Sequence, residues 1–216
     1  MTPELTYSDV QLAILAKAPV AGLAKTRLIP ALGAAGAARL QRQFTLATLR
    51  TARAAGLGGV TLWCTPSPQH RFFHALTQRA GVRCMAQAPG DLGARMYAAF
   101  CLHCAAGPTL LIGTDCPALQ PSHLRAAAGA LRGAADGVCI PAEDGGYVLI
   151  GLKQPQPALF EHMPWSSAEV MAQTRARSFH QGLRLHEMDA LWDVDEPADL
   201  QRLRSLSPRW QRELRP

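Results

Sequence analysis

The sequence predicts a three-layer α/β domain on a mainly parallel sheet, and three observations carry the prediction. Short apolar runs alternate with longer segments of helical composition and spacing. The segments that leave several of those runs carry glycine, acid or base. The 216 residues suffice for one sizeable core, so one domain is expected over 1–216, with its core from about 10 to 206. Strands alternating with helices of this length are crossover units, which give parallel strands with helices on both faces.

The elements follow in order. VQLAILA (10–16) is a strand and 17–30 a polar loop, followed by an amphipathic helix over 33–55 with Leu40, Phe44, Ala47 and Leu49 near helical spacing. Strand 59–64, helix 69–79, strand 82–86, helix 92–105, strand 109–113 and helix 122–131 continue the alternation. It breaks at 137–142 and 147–152, two apolar runs separated only by Glu143-Asp144-Gly145-Gly146, which suits a tight turn between antiparallel strands or a bent strand. Helix 167–181, strand 183–188 and helix 197–206 complete the chain.

Composition narrows the function classes. At 48% hydrophobic and 18% charged residues the chain is globular, and no apolar run approaches the roughly 20 residues of a membrane span. Residues 1–10 include Glu4 and Asp9 and lack a basic-then-apolar leader, so a cytoplasmic protein is expected. The formal charge of +6 suits an anionic ligand, but the arginines are scattered or gathered in the terminal Arg202–Arg215 stretch, without the aromatic-interleaved stripe of a nucleic-acid binder. The six cysteines are too sparse for a disulfide scaffold. Cys101-x-x-Cys104, with no second ligand pair, reads as helix packing. Cys116 and seven dispersed histidines raise nucleophilic catalysis, which the absence of a nucleophile elbow disfavours.

In an open α/β sheet, ligands bind beyond the carboxyl ends of the strands. The loop after the first strand, AKAPVAGLAKTRL, offers Ala16, Lys17, Pro19, Gly22, Lys25, Thr26 and Arg27. Its three cations suit phosphate and its glycine permits close approach, although a solvated basic loop is the plainer alternative and neither a Walker A nor a G-x-G-x-x-G pattern is present. After the fourth strand, Thr114 and Asp115 stand where a carboxylate can hold a hard divalent cation or cap the next helix. Asp193 and Asp195, two apart before the last helix, can both face that site or both miss it, and Asp195 also suits a cap. Asp144 or Glu143 can serve as general base, with Gly145 and Gly146 admitting substrate. Gly90, Gly93 and Arg95 can line a nucleotide, and Asp91, a suitable helix cap, is counted with Gly90 and Arg95 among the cofactor-binding candidates. Lys25, Asp115 and Asp144 are the candidate catalytic residues.

Taken as an ordered set, AKAPVAGLAKTRL, GDLGARM, GTDCPAL, PAEDGGYVLIGL, PWSS and DVDEPADL resemble a bacterial family provisionally described as nucleotide-diphospho-sugar transferases of the glycosyltransferase A type. The similarity runs from about Leu12 to Leu203, and more distantly the pattern is similar to phospholactate and molybdenum cofactor guanylyltransferases. The resemblance implies a Rossmann-like nucleotide-diphospho-sugar transferase fold, Lys25 and Arg27 near phosphates, and Mg²⁺ or Mn²⁺ on Asp115 with Asp195 preferred to Asp193 as its partner. The implied activity is transfer of a sugar from a nucleotide-sugar donor to a small acceptor. Nucleotidyl transfer with release of pyrophosphate is the alternative, kept open by a metal loop with one acid in place of D-x-D. A non-catalytic nucleotide binder is the third reading. Glu196 stands where the related motif commonly has Thr.

Overall fold

The computed structural model describes residues 7–214; Glu4 of the leader reading and Arg215 of the terminal basic stretch lie outside the described residues. Seven strands, β1 (Gln11–Lys17), β2 (Val60–Thr65), β3 (Arg83–Ala86), β4 (Thr109–Ile112), β5 (Gly137–Pro141), β6 (Tyr147–Leu152) and β7 (Leu185–Glu187), form one sheet. Its order is β3-β2-β1-β4-β6-β5-β7. Among these strands only β6 runs antiparallel, against both β4 and β5, because Glu143–Gly146 is too short for a crossover and returns the chain beside itself.

The helices are α1 (Ile29–Ala55), α2 (Arg71–Ala80), α3 (Leu92–His103), α4 (Pro121–Arg132), α5 (Val170–His180), α6 (Asp199–Leu206) and α7 (Pro208–Glu213). Gly33, at φ 68° and ψ 164°, breaks α1 one turn after its start, so the continuous helix begins where the sequence places it. Alternation along the strands loads two faces. Leu12, Ile14, Leu62 and Leu110 pack with Leu49 of α1 and Leu124 and Leu131 of α4, while Ala13, Trp63, Leu111 and Ile150 pack with Met96 and Phe100 of α3. A third cluster joins Leu28 and Phe44 to Val194, Leu203 and Trp210, so the carboxyl-terminal segment is part of the core.

Two ends differ from the sequence reading. α5 starts at Val170, after a turn in which the Ser167 hydroxyl accepts the Glu169 amide, and a seventh helix follows Ser207, placing Trp210 edge-on to Phe44 at 5.1 Å. At the end of α3 the packing reading holds only in part: Cys101 is exposed and Cys104 half-buried, while the buried His103 between them accepts the Trp63 indole N–H at 3.1 Å, and all six cysteines are free. Among the described residues no helix is long and apolar enough to cross a membrane.

The strand order reverses between β1 and β4, the switch point at which α/β sheets open a crevice. Away from the crevice, toward the amino end of β4, the neighbouring β6 is tightly packed: a Cβ on Gly151 would lie 2.5 Å from Leu110 Cδ2 and 2.7 Å from Val138 Cγ1. Gly151→Ala is expected to lower stability by about 1–3 kcal/mol through overpacking, read as a lower denaturant midpoint; an unchanged midpoint would show that β6 yields freely.

Candidate functional site

Lys25 organises the switch point. The loop after β1 turns at this residue, whose backbone is left-handed (φ 47°, ψ 48°), and its side chain is only 3% exposed. The ammonium donates to the Val194 carbonyl and lies 2.9 Å from Asp115 Oδ2 and 3.8 Å from Asp195 Oδ1. The two carboxylates expected to share a metal thus converge on one buried cation.

Asp115 follows β4 and is held from behind. Thr114 Oγ accepts the Gln41 amide at 3.0 Å and donates to Asp115 Oδ1 at 3.1 Å, while the Asp115 carbonyl accepts the Val194 N–H at 2.9 Å. The helix-cap alternative fails here: α4 is capped by Gln120 and His123 in a reciprocal box, which leaves the Asp115 carboxylate facing Lys25. Beside it, burial pushes the Cys116 thiol up to about 12, which holds it protonated near neutral pH.

Asp195 is not a cap either. Asp199 reaches back to accept the amides of Asp195 and Glu196, and the Asp195 carboxylate instead pairs with Arg27. Asp193 departs from its neighbour. Burial first, then the nearby Asp144 and Asp115 carboxylates, raise its pKa to about 6 against a partial offset from Lys25.

Two cavities meet at this point. The first, about 420 Å³, is lined by the sequence candidates Ala16, Lys17, Lys25, Arg95, Thr114 and Asp115. The second, about 410 Å³, is lined by Arg27, Asp144, Gly146 and Asp195. Leu92, Tyr147 and Asp193 belong to both linings. Pro19, Gly22, Thr26, Gly90, Asp91 and Gly145 line neither. Asp91 caps α3 by accepting the Ala94 amide at 2.9 Å, and Gly90 supplies the carbonyl, at φ 103°, that receives the Arg95 Nε–H at 3.1 Å. Glu143 forms a bidentate pair with Arg202 at 2.6 and 2.9 Å, leaving Asp144 as the acid of its turn that lines a cavity.

Gln87 carries no sequence signal of its own, and Trp165 and Ser166 are marked only by the PWSS motif. Gln87 donates to the Trp63 carbonyl at 2.9 Å and to that of Ala16 at 3.4 Å, fastening the loop after β3 to the ends of β2 and β1. Trp165 and Ser166 wall the second cavity because two glycines let their loop approach. A Cβ on Gly93 would meet the Trp165 ring at 2.8 Å, and one on Gly145 would meet the Ala168 carbonyl at 2.3 Å. The motifs GDLGARM, EDGG and PWSS are therefore three parts of one wall.

Asp193 leaves a pH signature. Its folded pKa of about 6 exceeds the 3.8 of a free carboxyl, so the folded protein binds the proton more tightly and loses stability as pH rises between about 4 and 6. Asp193→Asn removes that loss: we expect a gain of about 1–2 kcal/mol at pH 7, discounted for water at the cavity, and none near pH 3.5. Melting curves across this range check it, and equal gains at both pH values would reject the assignment.

Solved structures share this architecture. A structure from Desulfovibrio desulfuricans G20, provisionally described as a nucleotide-diphospho-sugar transferase, superposes with a TM-score of 0.83 at 26% identity, over 95% of this chain and 95% of that one. A nucleotidyl transferase from Methanothermobacter thermautotroptrophicus gives 0.58 at 15% identity over 94% and 98%. Rv0371C from Mycobacterium tuberculosis H37Rv, solved in complex with manganese, gives 0.52 at 19% over 92% and 99%. The last two likenesses concern the fold. No curated protein matches the sequence. The family model described as "Uncharacterized protein conserved in bacteria (DUF2064)" matches residues 48–167, more than half of the chain, and the protein belongs to that family.

Proposed function

We propose that the protein is a metal-dependent glycosyltransferase that moves a sugar from a nucleotide-diphospho-sugar to a small acceptor. The observation that carries this reading is the pair of similar cavities meeting at Asp193, one lined by Lys17, Lys25 and Arg95 and the other by Asp144 and Trp165. Such a pair suits a donor and an acceptor that must meet at a shared wall.

The residues fit a hard cation. Asp115 and Asp195 already converge on an ammonium, with Asp193 and Asp144 lining the adjoining cavity. Among the described residues no group of three or more His, Cys, Asp or Glu is arranged for a metal. Mg²⁺ and Mn²⁺ at phosphate sites need only one or two carboxylates, with phosphate oxygens and water completing the shell. A bound ion would neutralise the departing diphosphate.

The protein's own groups do the rest. Lys17, Lys25 and Arg95 bind and orient the phosphates, and Asp144 takes the acceptor hydroxyl proton as that oxygen bonds to the anomeric carbon. The bond from the anomeric carbon to phosphate oxygen breaks, and its electron pair leaves with the nucleoside diphosphate. The free cysteines suit the reducing cytoplasm. Nucleotidyl transfer is favoured by one observation, the single acid of the metal loop with Lys25 at 2.9 Å, a pairing suited to charge developing on an α-phosphate.

Incubation with Mn²⁺ and a panel of nucleotide-sugars is expected to release nucleoside diphosphate; pyrophosphate release from nucleoside triphosphates, dependent on a phosphorylated acceptor, would replace this reading by the alternative. Asp115→Ala should reduce turnover by about 100-fold or more with an unchanged circular dichroism spectrum and a lower melting temperature, since it removes one partner of the buried Lys25. Full metal-stimulated turnover in that variant would refute the role of Asp115.

A further inference from the structure

We infer that the 410 Å³ cavity is an acceptor site for a neutral or cationic hydroxyl compound and turns away phosphorylated and carboxylated ones. The inference rests on the glycosyl-transfer reading, and its first ground is charge. Asp144, Asp193 and Asp195 line the cavity against one cation, Arg27. That guanidinium is already engaged by Asp195 and lies 3.5 Å from Glu196, so it is a poor partner for a ligand anion. Across the shared wall the balance is more positive, because Lys25 offsets Asp115 while Lys17 and Arg95 stand against Asp193. Phosphate is favoured on one side and repelled on the other.

The second ground is the wall itself. Trp165 and Tyr147 both line the cavity and meet edge to face, with ring centroids 6.5 Å apart. An aromatic face receives the C–H surface of a sugar or an ammonium group, and gains nothing from an anion. The wall is built rather than incidental, since its loop depends on the absent side chains of Gly93 and Gly145. Asp144 is oriented by the Gly146 N–H at 2.9 Å, which positions the carboxylate for a hydroxyl in the cavity. The acceptor oxygen loses its proton to Asp144 and bonds to the anomeric carbon of the transferred sugar, while the nucleoside diphosphate departs with the electron pair of the broken bond from that carbon to phosphate oxygen.

The test uses matched probes with the full chain, Mn²⁺ and UDP, GDP or CDP: glucose against glucose 6-phosphate, glucosamine against glucosamine 6-phosphate, and glycerol against glycerol 3-phosphate. Calorimetric or NMR titration is expected to show the unphosphorylated member of a pair binding at least about tenfold more tightly. Asp144→Lys should erase or reverse that ratio while the melting temperature stays within a few degrees. Tighter binding of the phosphorylated members, a ratio unmoved by Asp144→Lys, or binding of no probe at all would overturn the inference. Nucleoside diphosphate release from nucleotide-sugars is followed separately: its absence defeats the glycosyl-transfer reading, whereas the binding ratio alone decides the class of acceptor.

Discussion

A buried ammonium is tolerable only where it is paired, because removing it from water costs several kcal/mol. Lys25 meets that condition by drawing together Asp115, Asp195 and the Val194 carbonyl, partners from the loop after β4 and from the closing segment. The contact with Val194 spans 169 residues. It explains why the closing segment enters the core at Val194 and why α6 and α7 pack against α1, since the segment must return to the mouth of β1 and β4. The loop conformation follows as well, because Lys25 adopts a left-handed backbone that a β-branched residue would resist.

Much of this is legible in the sequence for a physical reason. Fully buried parallel strands announce themselves as apolar runs, and the loops beyond β1 and β4 must open on the crevice at the switch point, so those loops are legible as candidates, while the family resemblance singles out Lys25 and Asp115 within them. The Asp-Gly-Gly turn likewise marks the return of β6. Asp193 and Asp195 mark the boundary of that legibility. Residues two apart in an extended segment share a side, yet Arg27 and Lys25 claim Asp195 while Asp193 enters the wall between the cavities. Only the partners distinguish them, and partners distant in sequence leave no periodic trace.

The same limit applies to the aromatic wall. PWSS is recognisable as a motif, but its role depends on two glycines far from it in the chain, Gly93 and Gly145, which admit the indole and the Ala168 carbonyl. Asp91 shows the converse: an acid at the mouth of the sheet invites a ligand role, whereas its carboxylate satisfies an amide at the start of α3. Local chemistry names the candidate, and the competing hydrogen bond decides its employment.

Lys25, Asp115 and Asp195 serve glycosyl and nucleotidyl transfer equally well, because both reactions place a phosphate beside a cation. What separates them is the attacking group. A phosphorylated nucleotidyl acceptor brings its own anion and is served by positive charge beside it, whereas an acceptor that attacks through a neutral hydroxyl needs a base. The second cavity supplies Asp144 and an aromatic wall, and its lone lining cation among the described residues is tied to Asp195. Under the proposed reading, the sign of charge across the shared wall is what separates the two chemistries, and Asp144 and Arg27, outside the proposed metal pair, contribute to that sign.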